Sequence, residues 1–165
     1  MKKTNALIWN ILNIIGFIGV VVVNALANIL PLNGKLTGDL SDSYPNLFVP
    51  AGLTFSIWGL IYILLAAFVI YGLILTLKNR DAGLVAGAVG PWFLLSTVFN
   101  SAWIFAWHWE MVFLSLCFML LLLLSLILMY LRLEIGKNAP RRGRKFFIHL
   151  PVSVYLGWIT VATIA

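Results

Sequence analysis

Five runs of apolar residues, each about as long as a bilayer is thick, leave this chain few folds to choose from. They cover about residues 6–30, 50–77, 84–107, 111–131 and 146–165, and a helix needs roughly 20 apolar residues to cross the hydrocarbon. With 62% hydrophobic and 10% charged residues, a soluble domain of 165 residues has no interior large enough to hide them. The reading is an all-α integral membrane protein, one domain forming a bundle of five transmembrane helices. Residues 108–110 are so short a connection that the third and fourth runs must form an antiparallel hairpin. No repeat, low-complexity tract or second domain is visible.

The net charge of +6 reads as topology in such a chain, and no nucleic-acid partner is expected. Lys2, Lys3, Lys78, Arg80, Arg132, Lys137, Arg141, Arg142, Arg144 and Lys145 all fall on one side if the chain weaves five times, and Lys35 alone falls on the other. The positive-inside rule then places the N-terminus in the cytoplasm and loop 31–49 outside. Lys2-Lys3 followed by an apolar run and Ala25-Leu26-Ala27 resembles a signal peptide. The run is long for one and is interrupted by four asparagines, so it is read as a retained first span. The chain stops at Ala165 without a polar or aromatic anchor, from which a longer protein cut near this helix is expected. Cys117, the single cysteine, reads as a small buried hydrophobe.

The polar residues inside the runs carry the most information. Asn10, Asn13, Asn24 and Asn28 fall in one narrow stripe at 100° per residue. Amides at membrane depth face other helices or a cavity; bundle-holding hydrogen bonds are one reading, and a cavity bordered by Asn24 and Asn28 is the other. Ser96, Asn100, Trp103 and Trp107 form a face of the third run, and Pro151, Tyr155, Trp158 and Ala162 one of the fifth. In the second run Phe55, Trp58 and Tyr62 share a face below a loop bracketed by Pro45 and Pro50. Gly83 and Gly87, with Ala86 and Gly90, offer small-residue contacts, and Pro91 is expected to kink the third span. The fourth run, with Leu120 to Leu124, shows no stripe and reads as lipid-facing or scaffolding. Its end, Leu128-Met129-Tyr130-Leu131-Arg132, fits a weak sterol-contact pattern. The cluster Arg141, Arg142, Arg144, Lys145 suits topology and, in addition, anionic lipid headgroups.

Depth relates three of these faces. Trp58 lies about 12 Å in from Pro50, and Asn100 about 10 Å in from Trp107, at 1.5 Å per residue. Trp158 is in the outer half as well. An interfacial aromatic belt suits Trp9, Trp92, Trp107 and Trp109, but suits the deeper Trp58, Trp103 and Trp158 poorly. A mostly aromatic cavity for a flat apolar molecule fits the pattern, and so does plain core packing; the residues alone leave both open.

These segments resemble the TspO/MBR family, the tryptophan-rich sensory proteins related to the translocator protein. Pro45, Pro50 and Trp58 match that family's loop-to-helix signature, with Leu47 and Val49 departing from it. Asn100-Ser101-Ala102-Trp103 is similar to its third helix. Val154-Tyr155-Leu156-Gly157-Trp158-Ile159-Thr160-Val161-Ala162 is similar to its fifth, with Val154 in place of a proline. The resemblance implies a five-helix bundle, often a homodimer, that binds porphyrins or haem and in some members sterols or benzodiazepine-type drugs. It implies Trp58, Asn100 and Trp158 as ligand contacts, with Tyr155 and Trp103 behind them; Asn28 and Pro50 complete the candidate site. The departures at Leu47 and Val49 leave the ligand itself open.

Catalysis is not expected, although porphyrin degradation has been suggested for such proteins. Asp39, Asp42, Asp81, Glu110 and Glu134 lie in loops or at membrane borders, and there is no nucleophile constellation or metal-spaced Cys/His cluster. His108 and His149 could each meet a haem iron, but both read as interfacial residues. The expected partners are membrane lipid, a hydrophobic small molecule and a second copy of the chain.

Overall fold

Where they are described, the apolar runs are helical. A computed structural model of the chain describes residues 3–44, 54, 56–78, 89–137 and 140–164. Among these lie six helices and no strand: α1 (Lys3–Ile29), α2 (Thr37–Asp42), α3 (Ile57–Leu77), α4 (Gly90–His108), α5 (Val112–Arg132) and α6 (Arg142–Ile164). Pro45, Leu47, Val49, Pro50, Gly83, Ala86 and Gly87 lie outside the described residues.

Burial follows a spacing close to 3.5 along the long helices. In α1 it runs Ala6, Asn10, Asn13, Val20, Asn24, Ala27; in α3, Ile61, Leu65, Phe68, Gly72, Leu75; in α5, Ser115, Met119, Leu122, Leu126, Met129. Such seams belong to helices that cross at small angles. α5 thus has a buried face after all, which its uniform leucine content concealed.

The sorting of polarity is the reverse of that in a water-soluble protein. Asn10, Asn13, Asn24, Thr76, Ser96, Asn100 and Ser125 are buried, whereas Ile15, Ile63, Ile70, Phe113 and Leu131 are exposed. Amides and hydroxyls turned inward and aliphatic groups turned outward suit a hydrocarbon solvent. By length and composition, α1 from Thr4, α3, α5 and α6 can cross a membrane. Among the described residues that is four helices, not the five expected. The exception is the 19-residue α4, whose Ser96, Thr97, Asn100 and His108 make it less apolar.

The polar α4 is shielded by its neighbours. Its most extensive contacts are with α5 and then α1; α5 also meets α6, α6 meets α3, and α3 meets α1. The helices therefore close a ring in the order α1, α4, α5, α6, α3. One end of the ring is tied by Asn10 Nδ2, which donates to Thr76 Oγ1 at 2.7 Å, and by the Arg132 guanidinium, 5.1 Å from the centre of the Trp92 ring. Arg132, a member of the sterol-contact pattern, is thus engaged with another helix. In the middle, Phe68 and Phe93 pack at 5.2 Å between ring centroids.

Two prolines act differently from each other. Pro91 stands in the first turn of α4 as described, where its missing N–H is harmless; the residues 81–88 that would show the expected kink lie outside the described residues. Pro151 lies inside α6 and withholds a backbone donor; the preceding residues Lys145–His149 are wound as a π turn, a common accommodation of such a gap.

Close approach of α1 and α4 depends on two glycines. A Cβ on Gly90 would stand 2.9 Å from the Trp9 indole ring, and one on Gly16 would stand 2.6 Å from Thr97 Oγ1. An indole is held by its own packing and yields poorly. Gly90→Ala is therefore expected to destabilise the bundle by about 1–3 kcal/mol, the usual range for overpacking. Thermal unfolding in detergent reads this, and an unchanged midpoint would show the α1–α4 contact to be looser than described.

Candidate ligand site

Toward the other end of the ring, α3, α4 and α6 each turn aromatic residues inward. Trp58, in the first turn of α3, is half-buried and touches four rings. Tyr62 and Trp103 lie nearly parallel to it, at 5.7 Å and 22° and at 6.3 Å and 23°. Tyr155 and Trp158 meet it edge-on, at 6.3 Å and 6.1 Å. Trp58 joins the group because Ile57–Leu77 begins one residue before it, while the four-residue spacing to Tyr62 stacks the two rings along one face.

A hydrogen-bonded line of polar groups crosses beside these rings. Asn24 Nδ2 on α1 donates to Asn100 Oδ1 on α4 at 2.7 Å, and Asn100 Nδ2 donates to the Tyr155 hydroxyl on α6 at 3.0 Å. Asn100 is completely buried. Its amide joins α4 to its neighbour α1 on one side and across the ring to α6, so it restricts the rotation of these helices about their axes. The Tyr155 oxygen acts here as acceptor, which leaves its proton available to another group. The Tyr62 hydroxyl is buried with no hydrogen-bond partner.

The structure thus brings together Trp58, Asn100, Trp103, Tyr155 and Trp158. Asn28 does not join them: it is exposed, and its Nδ2 donates to the Asn24 carbonyl of its own helix at 2.8 Å. Asn24, one turn deeper, takes the place expected for it. Pro50 lies outside the described residues. Tyr62 was not among the expected site residues, although its spacing from Trp58 carried the signal.

The connection after α1 covers the end of α4. It contains a turn at Leu32–Gly34 and the short helix α2, whose Leu40 is completely buried. Asn33 Nδ2 donates to the His108 carbonyl at 2.9 Å. His108 is also completely buried, enclosed by protein at the end of α4. Its Nδ1 faces the Ile104 carbonyl at 2.8 Å, and a carbonyl can only accept, so Nδ1 carries the proton. Nε2 faces Thr37 Oγ1 at 3.4 Å. With both ring nitrogens turned to protein oxygens, His108 presents no free position to a haem iron.

Farther out, Lys35 Nζ meets Glu110 Oε1 at 2.7 Å, and the Tyr44 hydroxyl donates to Glu110 Oε2 at 3.3 Å. The hydrogen bond from Lys35, then its charge, holds the Glu110 carboxyl below its usual range, and the same bond raises Lys35. The pair therefore contributes at neutral pH. It is lost as pH falls through the lowered Glu110 value, or as pH rises through the raised Lys35 value.

Comparison with known proteins adds one match. A family model described as TSPO-like protein matches residues 10–165. No curated protein and no solved structure matches the chain.

Proposed function

We propose, since the chain belongs to the TSPO-like protein family, that it is a receptor or carrier whose five-helix ring takes up a flat hydrophobic molecule against Trp58. A porphyrin or haem is the first ligand class and a sterol the second, and the role is sensing or transport. The observation that carries this is the arrangement of Trp58, Tyr62 and Trp103 with near-parallel faces, the geometry on which another planar ring system stacks. Tyr155 and Tyr62 supply hydroxyl protons for an acceptor group on the ligand. The N-terminus is assigned to the cytoplasm, supported by the gathering of basic residues at the end of the ring away from Trp58.

Saturable quenching of tryptophan fluorescence by a porphyrin, in purified protein, tests this reading. Trp58→Ala with Trp158→Ala is expected to weaken binding by about tenfold or more, two aromatic contacts at about 0.5–1.5 kcal/mol each. Unchanged affinity in a double variant that still folds would end the proposal.

A second reading, a ligand-free membrane scaffold, draws on one observation: every ring in the cluster touches another, as in a filled core. It predicts no saturable quenching, co-purification of a partner protein and indifference to Trp58→Phe. Light-dependent conversion of bound porphyrin to a new absorbing species would instead indicate an enzyme.

A further inference from the structure

The basic end of the ring carries a side chain that the ligand proposal does not use. Lys78, Arg132, Lys137, Arg141, Arg142, Arg144 and Lys145 gather there, and among the described residues Glu134 is the acidic residue at that end. Arg141, Arg142 and Lys145 are exposed and can be hydrated. Arg144 differs: it is part-buried, and its Nε is shut off from solvent with no hydrogen-bond partner. A guanidinium N–H enclosed without an acceptor is costly, so such a group is ordinarily matched by an anion.

Its surroundings narrow the kind of anion. Gly143 lies so close to α3 that a Cβ there would stand 2.6 Å from the Tyr71 hydroxyl, and the Tyr71 ring stacks on Phe147 at 5.0 Å. A phenol thus lies against Gly143, the residue before Arg144, where α6 enters the bundle. Just beyond, Phe146, Phe147 and Leu150 are exposed large hydrophobics on the same helix. In a membrane-embedded helix these face acyl chains, so the polar group at Arg144 sits where a lipid headgroup would.

We infer that Arg144, with Tyr71 against the preceding Gly143 and the basic Arg141, Arg142 and Lys145 nearby in the chain, binds the phosphate of an anionic phospholipid. The planar guanidinium suits a phosphodiester oxygen pair. The exposed lysine and arginines add attraction to a negative headgroup, and Phe146 and Leu150 lie along its chains. The uneven burial makes the claim specific: one arginine should matter more than its neighbours of equal charge.

The test uses the full chain in nanodiscs of phosphatidylcholine with or without phosphatidylglycerol, and lipid retained after release is read by native mass spectrometry. Phosphatidylglycerol should be kept in preference to phosphatidylcholine. Arg144→Gln should lower its retention by about fivefold, the effect of one basic group at an anionic surface, and Arg141→Gln by less. Inorganic phosphate in excess should leave retention unchanged; displacement would identify a free-anion site and overturn the lipid assignment. Equal retention of both lipids, or Arg144→Gln behaving as the original, would also overturn it. Should Arg144→Gln not fold, the unaltered protein still decides: its unfolding midpoint must rise with phosphatidylglycerol and lose that rise in high salt, and a midpoint indifferent to the lipid refutes the site.

Discussion

Asn100→Leu is expected to lower the unfolding midpoint and to cost about 1–3 kcal/mol, from two interhelical hydrogen bonds in an apolar bundle. Leucine is close in size, so little of the loss comes from volume. The Tyr155 hydroxyl would lose its donor, and Asn24 would keep only its bond to the Val20 carbonyl at 2.9 Å. Ser96→Ala serves as the contrast. Ser96 is equally buried, but its hydroxyl bonds the Phe93 carbonyl of its own helix, so its removal should shift the midpoint far less. A cycle with Asn24→Leu isolates the bond between the two amides. Because that bond is lost only once, the double variant should cost less than the sum of the singles. Additive losses, or a stable Asn100→Leu protein, would show that the amides do not set the helix rotation.

Much of this site was legible because depth and helical spacing are both carried by the sequence. Trp58, Asn100 and Trp158 sit at similar depth in their runs, and a bundle has few ways to keep residues at one level apart. The same depth argument, applied more strictly, selects Asn24 over Asn28. Asn28 stands one residue from the end of α1, whereas Asn100 stands eight from the end of α4. The ring order was not legible. Nothing in an apolar run says that α4 lies between α1 and α5 or that α6 closes onto α3, since lipid-facing and helix-facing leucines are chemically alike. His108 misled because tight turns usually stay wet. Its burial is caused by a segment some seventy residues away in sequence, Asn33 to Tyr44, folding back over it.

That fold-back gives the other large effect. His108→Ala should cost about 2–4 kcal/mol, from a cavity where a fully enclosed ring stood and from the lost bonds to Ile104 and Thr37. The loss should be local in consequence. With His108 gone, the connection stays attached to α4 through Asn33, the Lys35–Glu110 pair and the tilted contact of Tyr44 on Trp107 at 5.6 Å. The pair is solvent-accessible and contributes little by itself, so the connection should open much more often. Trypsin added to sealed proteoliposomes reads this directly at Lys35, the one basic residue assigned to that side. Cleavage should be slow in the original protein and many times faster in His108→Ala, while Glu110→Gln, which removes only the exposed pair, should change it little. The same digest reports orientation, because vesicles that expose Lys35 shield the basic loop before α6. If His108→Ala resists trypsin as the original does, the connection is held by contacts other than the buried imidazole. The covering of the end of α4 would then not depend on His108.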